Sequence, residues 1–150
     1  MVNSGKKACN MYVGRYYHRL ETKGRVSLPV KFREKLLVGA IITRGLDGCL
    51  AIFDQEMWKK KLHEIENLSQ TKKVNRDYVR FVTNDANELE IDGQGRIRID
   101  EQLQQRAKLQ KEVVFVGSLD HIEIWDKQTY ATYMESVEST IEEDVENIES

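Results

Sequence analysis

Apolar and polar positions along the chain predict one order of secondary-structure elements that occurs twice. Ile97 and Ile99, separated by arginine, show the two-residue period of a strand. In each half, two strands around a glycine turn precede a short amphipathic helix, two further strands and a closing helix. The predicted later strands are Ala40–Thr43, Cys49–Phe53, Glu112–Val116 and His121–Trp125, and the predicted helices are Val30–Leu37, Gln55–Leu68, Glu101–Leu109 and a last one from Gln128 to about Ile148.

The connections between these elements carry signals of their own. The Asp47-Gly48 pair is typical of a tight hairpin turn, and it predicts that the strands on either side of it pair. Between the two halves, apolar residues at helical spacing predict a bridging helix over residues 71–83. These apolar residues are Val74, Tyr78, Phe81 and Val82.

A repeat in the sequence explains why the order of elements occurs twice. The segment Leu20–Leu28 returns as Ile91–Ile99, and Gly24 and Gly95 are 71 positions apart. Later correspondences drift only to 73 positions, so the two repeats are nearly free of gaps. Similarity over such a length indicates two tandem copies of one structural unit.

Four short strands cannot bury both of their faces alone, but two interleaved repeats can close into one barrel without exposed edges. The predicted fold is therefore α+β and β-rich: a pseudo-twofold double-split (swapped-hairpin) β-barrel built from two tandem repeats, with flanking helices. The predicted divisions are an N-terminal extension at 1–14, a first repeat at 15–57, bridging helices at 58–85, a second repeat at 86–129 and an acidic C-terminal helix or tail at 130–150.

The net charge of −2 hides a strong asymmetry along the chain. Residues 134–150 contain seven acidic side chains and no Lys or Arg, which leaves 18 acidic against 23 basic residues, a formal charge of +5, in residues 1–133. A basic front part with an acidic tail favours a polyanionic partner, although an ordinary solvated surface explains the charge alone equally well. The tail has two open roles, repelling DNA from the wrong face or packing against a neighbouring chain.

The pattern acid-x-x-Gly-Arg occurs once in each repeat, from Glu21 to Arg25 and from Asp92 to Arg96. The last position of a three-residue hairpin loop is usually left-handed, and glycine adopts that conformation easily. The flanking carboxylate can then accept loop N–H groups or orient the guanidinium. A rigid arginine at a hairpin tip suits a bidentate contact to guanine in the major groove, whereas the plainer alternative is a structural ion pair. Two matched occurrences favour the DNA site.

Longer runs of sequence resemble the MraZ transcriptional regulator family, which has the AbrB/SpoVT type of swapped-hairpin barrel. Beside the turn motif, these runs are Leu28-Pro29 with Lys31–Glu34, Thr43–Leu50 and Glu123–Lys127, within a resemblance that covers residues 12–133. The resemblance implies a cytoplasmic, nucleoid-associated transcription factor that controls the division and cell-wall gene cluster. It also implies binding to G-rich direct repeats of double-stranded DNA in its own promoter, and assembly into ring-shaped homo-oligomers.

The family motif of Asp, Gly and Arg carries over unequally to the two repeats. Its matching residues are Gly24 and Arg25 in the first repeat, and Asp92, Gly95 and Arg96 in the second. Glu21 stands where the family usually has Asp, and its extra methylene predicts a looser turn. The second repeat has Ile99-Asp100 in place of Leu-Pro and is less basic around its turn. The first repeat is therefore predicted to contact DNA, and the second to be mainly structural.

The candidate site follows from these matches. The predicted DNA-binding residues of the first repeat are Lys23, Gly24, Arg25, Lys31 and Arg33; Arg96 and Arg98 are weaker candidates in the second repeat; and Glu21, Asp92 and Gly95 are predicted to support the turns. If each subunit presents one modest basic loop, affinity must come from several subunits that engage successive DNA repeats.

Metal binding and catalysis have little support in the sequence. His18, His63 and His121 are scattered without metal-ligand spacing to Cys9 or Cys49. Both cysteines are predicted to be reduced thiols, with Cys49 a buried small residue in a strand. No metal, cofactor or enzymatic activity is predicted. The alternative function is a non-enzymatic oligomeric scaffold or protein-interaction module that uses the same barrel, and the two differ in whether one DNA sequence is preferred over another.

Overall fold

A computed structural model describes residues 11–148, so Cys9 and most of the predicted N-terminal extension lie outside the described residues. The strands are β1 Arg15–Arg19, β2 Arg25–Ser27, β3 Ala40–Arg44, β4 Leu50–Asp54, β5 Asn87–Glu88, β6 Arg96–Arg98, β7 Glu112–Gly117 and β8 Ile122–Asp126. The helices are α1 Val30–Leu36, α2 Gln55–Glu66, α3 Lys73–Asn84, α4 Glu101–Arg106 and α5 Lys127–Val145. Each predicted helix occurs, and its ends fall within three residues of the expected positions. The structure is α+β and rich in β-strands, as predicted.

Strands of the two repeats pair with each other rather than forming separate sheets. One antiparallel sheet has the order β1-β7-β8-β4-β3-β5, and β2 pairs with β6 in a separate two-stranded ribbon. The first strand of each repeat pairs with the third strand of the other, β1 with β7 and β5 with β3. The two repeats are thus interleaved about the central pair of β4 and β8.

The closed barrel predicted from the sequence is not confirmed. Within residues 11–148, the six-stranded sheet keeps two edges, β1 and β5, and the ribbon forms no ladder with it. One cause is the length of β5, which has two residues and pairs only with Ile41 and Ile42. Such a short strand extends the sheet by little, and among the described residues Thr43 and Arg44 of β3 have no strand partner on that side.

The main core lies between the ribbon, the short helices and one face of the sheet. Val26 and Ile97 are the inward residues of the ribbon, and each is at most 1% exposed. The same cluster contains Leu28, Phe32, Leu36, Ile99, Leu103, Phe115 and Ile124. Burying side chains of this size stabilises the fold by about 1.5–3 kcal/mol each, so the core holds the ribbon against the sheet.

Helix α4 ends three residues before the predicted position, Leu109, because the chain turns left-handed at Lys108, where φ is 54°. The N–H of Leu109 bonds the carbonyl of Gln104 at 2.9 Å, and the N–H of Lys108 bonds that of Gln105 at 3.1 Å. This pair of bonds is the Schellman ending of a helix. It directs Leu109 into the core, where the side chain is 9% exposed.

The opposite face of the sheet is covered by the longer helices. Side chains alternate between the faces of a strand, so Ala51 and Phe53 of β4 point away from the main core. Under α5, this face is closed by a second apolar cluster made of Cys49, Val114, Trp125 and Tyr130. Cys49 lies one residue before β4 rather than within it, and it is buried, as predicted. Burial raises the pKa of the Cys49 thiol, with the nearby charges of Glu123 and Asp47 adding to the effect.

His121 lies on this helix-covered face between two carboxylates. Its ring nitrogens are 2.8 Å from Asp120 Oδ1 and 3.2 Å from Glu123 Oε2, and the indole N–H of Trp125 donates to Glu123 at 2.9 Å. Burial acts to lower the pKa of His121, but the hydrogen bonds and negative charges of Glu123 and Asp120 outweigh it and raise that pKa. Burial acts to raise the pKa of Glu123, but hydrogen bonds from His121 and Trp125 outweigh it and lower that pKa.

These shifts predict a stability contribution that depends on pH. The raised pKa of His121 stabilises the fold below about pH 6.5 and stops doing so as the pH rises through the folded-state value. The lowered pKa of Glu123 stabilises the fold above about pH 4.5 and stops doing so as the pH falls through its own folded-state value. We expect His121→Gln to lower the free energy of unfolding by roughly 1–2 kcal/mol near pH 5.5, and by clearly less at pH 9.

Urea denaturation of the wild type and the variant at both pH values measures this difference. His63→Gln is the control, because its side chain is 73% exposed and lies 3.8 Å from Glu66 at the surface. The expectation fails if His121→Gln lowers the stability by the same amount at pH 5.5 and pH 9.

Candidate nucleic-acid interface

Three arginines share the outer face of the ribbon formed by β2 and β6. Arg25 is the cross-strand partner of Arg98, and Ser27 is the partner of Arg96. Because Val26 and Ile97 face the core between them, Arg25, Arg96 and Arg98 all point outward. The two arginines predicted as weaker candidates therefore lie beside the strongest one. Like charges directly opposite each other in a ladder are unfavourable, so an anion placed over this face would relieve repulsion.

The turns that precede β2 and β6 have the predicted three-residue loop. In the first repeat, the N–H of Glu21 bonds the carbonyl of Arg25 at 2.7 Å. In the second, the N–H of Asp92 bonds the carbonyl of Arg96 at 2.9 Å. The last loop residue is left-handed in both, with φ of 75° at Gly24 and 77° at Gly95. The prediction that glycine supplies this conformation is confirmed.

The two turns differ in how their carboxylates act. Asp92 accepts hydrogen bonds from the backbone N–H groups of Arg96 and Gln94, both at 2.9 Å, and from Arg96 Nε at 3.0 Å. These bonds, the one from the Arg96 backbone first, lower the pKa of Asp92. Within the described chain, Glu21 makes no such cap; its carboxylate instead lies 4.0 Å from Arg96 Nη1. The predicted support of the loop by its own acid thus occurs in the second repeat only.

Arg25 differs from Arg96 in having no carboxylate partner in an ion pair within the described residues. Its side chain is exposed, and within residues 11–148 it makes no hydrogen bond or ion pair. Arg96, in contrast, is held by Asp92 and lies near Glu21. Arg98 is exposed and donates through Nε to the carbonyl of Lys23 at 3.1 Å, which links the second repeat to the first turn. Arg25 is therefore the arginine of this face that has all of its donors available to a ligand, while Arg98 keeps those of its Nη atoms.

Arg33 lies over the turn of the other repeat rather than beside Arg25. Its Nε donates to the carbonyl of Leu28 at 2.8 Å, and the N–H of Leu28 donates to the carbonyl of Gly95 at 2.9 Å. The guanidinium fills the space above Gly95 that a β-carbon would occupy. Arg33 is half-buried there; one of its donors is used within the first repeat, and its guanidinium packs against the turn of the second.

Gln104 makes the equivalent contact in the opposite direction. Its side-chain amide donates to the carbonyl of Ile99 at 2.8 Å, and the N–H of Ile99 donates to the carbonyl of Gly24 at 2.8 Å. Its amide covers Gly24 as the Arg33 guanidinium covers Gly95. Sequence reasoning missed Gln104, although it lies 71 positions after Arg33, the same spacing that relates the two glycines.

The remaining predicted residues are basic groups at the surface. Lys23 is exposed in the first turn and has a left-handed φ of 63°. Lys31 is exposed in the first turn of α1. The face also includes acid, because Glu90 and Asp92 border a shallow hollow together with Arg25 and Arg98. The site is thus a set of oriented cations with a few carboxylates between them.

The contact made by Arg33 predicts a difference between two substitutions. Arg33→Gln should keep the bond to Leu28, because glutamine makes that bond at the matching position of the second repeat. Arg33→Ala removes it and leaves the carbonyl of a buried residue without this donor, which typically costs about 1–3 kcal/mol. Urea denaturation should therefore find Arg33→Gln close to the wild type and Arg33→Ala clearly less stable. Equal stability of the two variants would show that this contact does not hold the turns.

The described residues contain neither a metal-binding cluster nor a helix that could cross a membrane. In the described part of the chain, no group of His, Cys, Asp and Glu side chains is arranged to hold a metal ion. Of the helices between residues 11 and 148, none has the length and apolar character needed to span a bilayer.

The fold and the site together define a class: two interleaved β-rich repeats that present arginines on a two-stranded ribbon. The family model described as "MraZ protein, putative antitoxin-like" matches residues 11–81 and 83–149. The chain belongs to the MraZ family.

Individual relatives align with this chain over most of its length. The chain is 39% identical over 140 residues to "Transcriptional regulator MraZ" of Caldanaerobacter subterraneus subsp. tengcongensis, an alignment that covers 93% of this chain and 98% of that protein. It is 40% identical over 139 residues to the protein of the same name in Thermoanaerobacter sp. (strain X514), with 93% and 97% covered. To that of Halothermothrix orenii it is 41% identical over 133 residues, with 89% and 93% covered.

Proposed function

We propose that this chain is a sequence-specific transcriptional regulator that binds double-stranded DNA with the outer face of its ribbon. The observation that carries the proposal is the position of Arg25, outward, opposite Arg98 and without an ion-pair or hydrogen-bond partner for its side chain within residues 11–148. The names of the relatives, each a transcriptional regulator, support the same function. On this account the chain acts by binding and carries out no catalysis.

The shape of the ribbon supports a contact in the major groove. That groove admits a two-stranded β-ribbon, and arginine recognises guanine there through paired hydrogen bonds to O6 and N7. A guanine-rich target, which the family resemblance implies, suits a face whose free donors belong to an arginine. Lys23 is exposed in the turn that precedes β2, and Lys31 is exposed in the first turn of α1. Both suit phosphate contacts, which fix position without reading sequence.

In this proposal the second repeat contacts DNA as well, whereas the sequence predicted it to be mainly structural. Arg98 lies in the same ladder as Arg25, so both repeats contribute to one surface. The first repeat, 15–57, and the second repeat, 86–129, then act as one DNA-binding unit. Interleaved strand pairing supports the swapped-hairpin description of the fold. Arg96 is held by Asp92 and acts as a less adaptable contact.

One ribbon offers few base contacts, so we propose that the chain acts as a ring-shaped homo-oligomer on direct repeats. Binding of one subunit raises the local concentration of the next repeat, and affinity then grows without new contacts. The resemblance supports this assembly, a promoter in the division and cell-wall gene cluster, and a location in the cytoplasm with the nucleoid. Analytical ultracentrifugation of the free protein tests the assembly.

Fluorescence anisotropy with two labelled duplexes tests the proposed function. One duplex carries G-rich direct repeats, and the other has the same length and base composition in scrambled order. At near-physiological salt we expect the repeats to bind at least ~10³-fold tighter, as specific regulators do. Equal, weak binding of both duplexes would contradict the proposal and favour an oligomeric scaffold whose basic surface meets an acidic protein.

A further inference from the structure

A cavity of about 240 Å³ lies on the face of the sheet opposite the ribbon. Its walls come from α2, α3, the turn between β3 and β4, and the beginning of β8. Leu50 and Ile52 of β4 belong to the core under the ribbon, whereas Ala51 and Phe53 of the same strand line the cavity. The cavity is therefore separate from the proposed DNA interface and has no role in the function proposed above.

The inner part of the cavity is apolar and aromatic. Phe53 and Ala51 are buried in the sheet, and Met57, Phe81 and Val82 face them from the two helices. An apolar cavity of about 150 Å³ is large enough to hold benzene. This cavity therefore has room for one aromatic ring and a polar substituent.

Charged side chains surround this apolar part, and the acidic ones beside the sheet already have partners. His121 lies between Asp120 and Glu123, and Glu123 also accepts from Trp125. Lys61 donates to the hydroxyl of Tyr78 at 2.9 Å. The other carboxylates at the rim are Asp47 and Glu64, both at exposed positions.

Two cations of the cavity have no such partner. Arg44 is half-buried, and its guanidinium lies over the ring of Phe81, 4.6 Å from the centroid. None of residues 11 to 148 places a carboxylate or carbonyl within bonding distance of that guanidinium, and the same holds for the ammonium of Lys60. A partly buried guanidinium normally binds a hydrogen-bond acceptor, and the donors of Arg44 at this cavity suit an anionic one.

The aromatic pair beside the cavity has a counterpart in the second repeat. Phe53 packs against Trp58 of α2 at 5.6 Å between ring centroids, and the matching residues Trp125 and Tyr130 pack at 5.3 Å. Phe53 also stacks on His121 at 5.4 Å. The cavity therefore lies beside these packed rings, and Phe53 forms part of its wall.

We propose that this cavity binds a small anionic molecule with one flat apolar ring, either a carboxylate or a phosphate ester. The ring lies against Phe53 and Phe81, and the anionic group binds Arg44 and Lys60. Both interactions are needed. A ligand with only the ring has no charge to bind the guanidinium, and a ligand with only the anionic group leaves the apolar wall of the cavity in water.

Isothermal titration calorimetry of the full chain with benzoate and with phenyl phosphate tests this proposal. The compound that binds more tightly shows whether the site prefers a carboxylate or a phosphate ester. Benzyl alcohol and inorganic phosphate are the matched probes that lack the charge or the ring. We expect one site per chain with a Kd below about 1 mM for at least one of the two anions, and binding at least about tenfold weaker for both matched probes.

Arg44→Gln should weaken the binding of the preferred anion by about tenfold or more. Arg80→Gln is the control, because Arg80 lies in α3 beside a different hollow and pairs with Asp77. Thermal denaturation checks that both variants are folded. The proposal is overturned if neither anion binds at 5 mM or if Arg44→Gln binds them as the wild type does. It is also overturned if the anions bind only after the assembly dissociates, because that result would mean that a second chain occupies the cavity in the assembly.

Discussion

Arg25→Ala is expected to remove most of the preference for G-rich repeats while leaving binding to a scrambled duplex nearly unchanged. A bidentate arginine–guanine contact contributes about 1–3 kcal/mol of discrimination, so the preference should fall roughly 10- to 100-fold for each ribbon engaged. The side chain of Arg25 is exposed and has no polar partner within residues 11–148, so its removal breaks no hydrogen bond or ion pair of the fold. Anisotropy titrations of both duplexes measure the change.

Arg15→Ala is the matched control for this experiment. Arg15 is an exposed arginine at the beginning of β1, at the end of that strand farther from the first turn. Its removal takes away the same charge and should change the affinity for both duplexes by the same small factor. If Arg25→Ala weakens the two duplexes equally, Arg25 contributes charge only, and it does not read bases.

Gly24→Ala is expected to be the most destabilising small substitution in the site. Gly24 has a φ of 75°, and a β-carbon there would overlap the carbonyl oxygen of Ile99, which is backbone and cannot rotate away. The left-handed conformation and the overlap together should lower the free energy of unfolding by roughly 3–5 kcal/mol. Because domains are stable by only about 5–15 kcal/mol, a large loss of stability should appear in urea denaturation.

Gly48→Ala separates the two causes. Gly48 has a φ of 88°, and nothing lies within 4 Å of a β-carbon built there. That substitution has the backbone penalty alone, which is about 1–2 kcal/mol. We expect Gly24→Ala to be clearly worse than Gly48→Ala; equal losses would mean that the contact between Gly24 and Ile99 gives way easily and does not hold the two repeats together.

The local structure could be predicted because its causes are local. The Asp47-Gly48 signal predicted the hairpin of β3 and β4, where both residues have positive φ. The two glycine turns followed from the repeat and from the conformational freedom of Gly24 and Gly95. The amphipathic spacing of the bridging helix was sufficient to place α3 to within two residues at its N-terminal end.

The arrangement of the site could not be predicted, because it depends on contacts between residues far apart in sequence. The opposition of Arg25 and Arg98 follows from the register of β2 against β6, which links residues more than 70 positions apart. Hydrophobic alternation shows which face is outward but leaves the partner of each residue open. The barrel was an inference from two equal repeats, and the two-residue β5 shows that the repeats are unequal in this strand.

Arg33 shows a second limit of sequence reasoning. Its charge and its place in a basic segment predicted a DNA contact, yet its Nε bonds the carbonyl of Leu28. A positive side chain in a basic segment has the same appearance in sequence whether it faces a ligand or the neighbouring turn. The match to Gln104 in the other repeat is informative, because a neutral amide at the equivalent position makes the same contact without the charge.

Changing the arginine and the base together tests whether Arg25 reads guanine through O6 and N7. Anisotropy titrations of the wild type and Arg25→Ala use the G-rich duplex with ordinary guanine and with 7-deazaguanine, which lacks the N7 acceptor. We expect the modified duplex to bind the wild type at least about tenfold more weakly, and to bind Arg25→Ala as well as the ordinary duplex does. If 7-deazaguanine weakens both proteins by the same factor, another residue contacts N7, and the account is wrong.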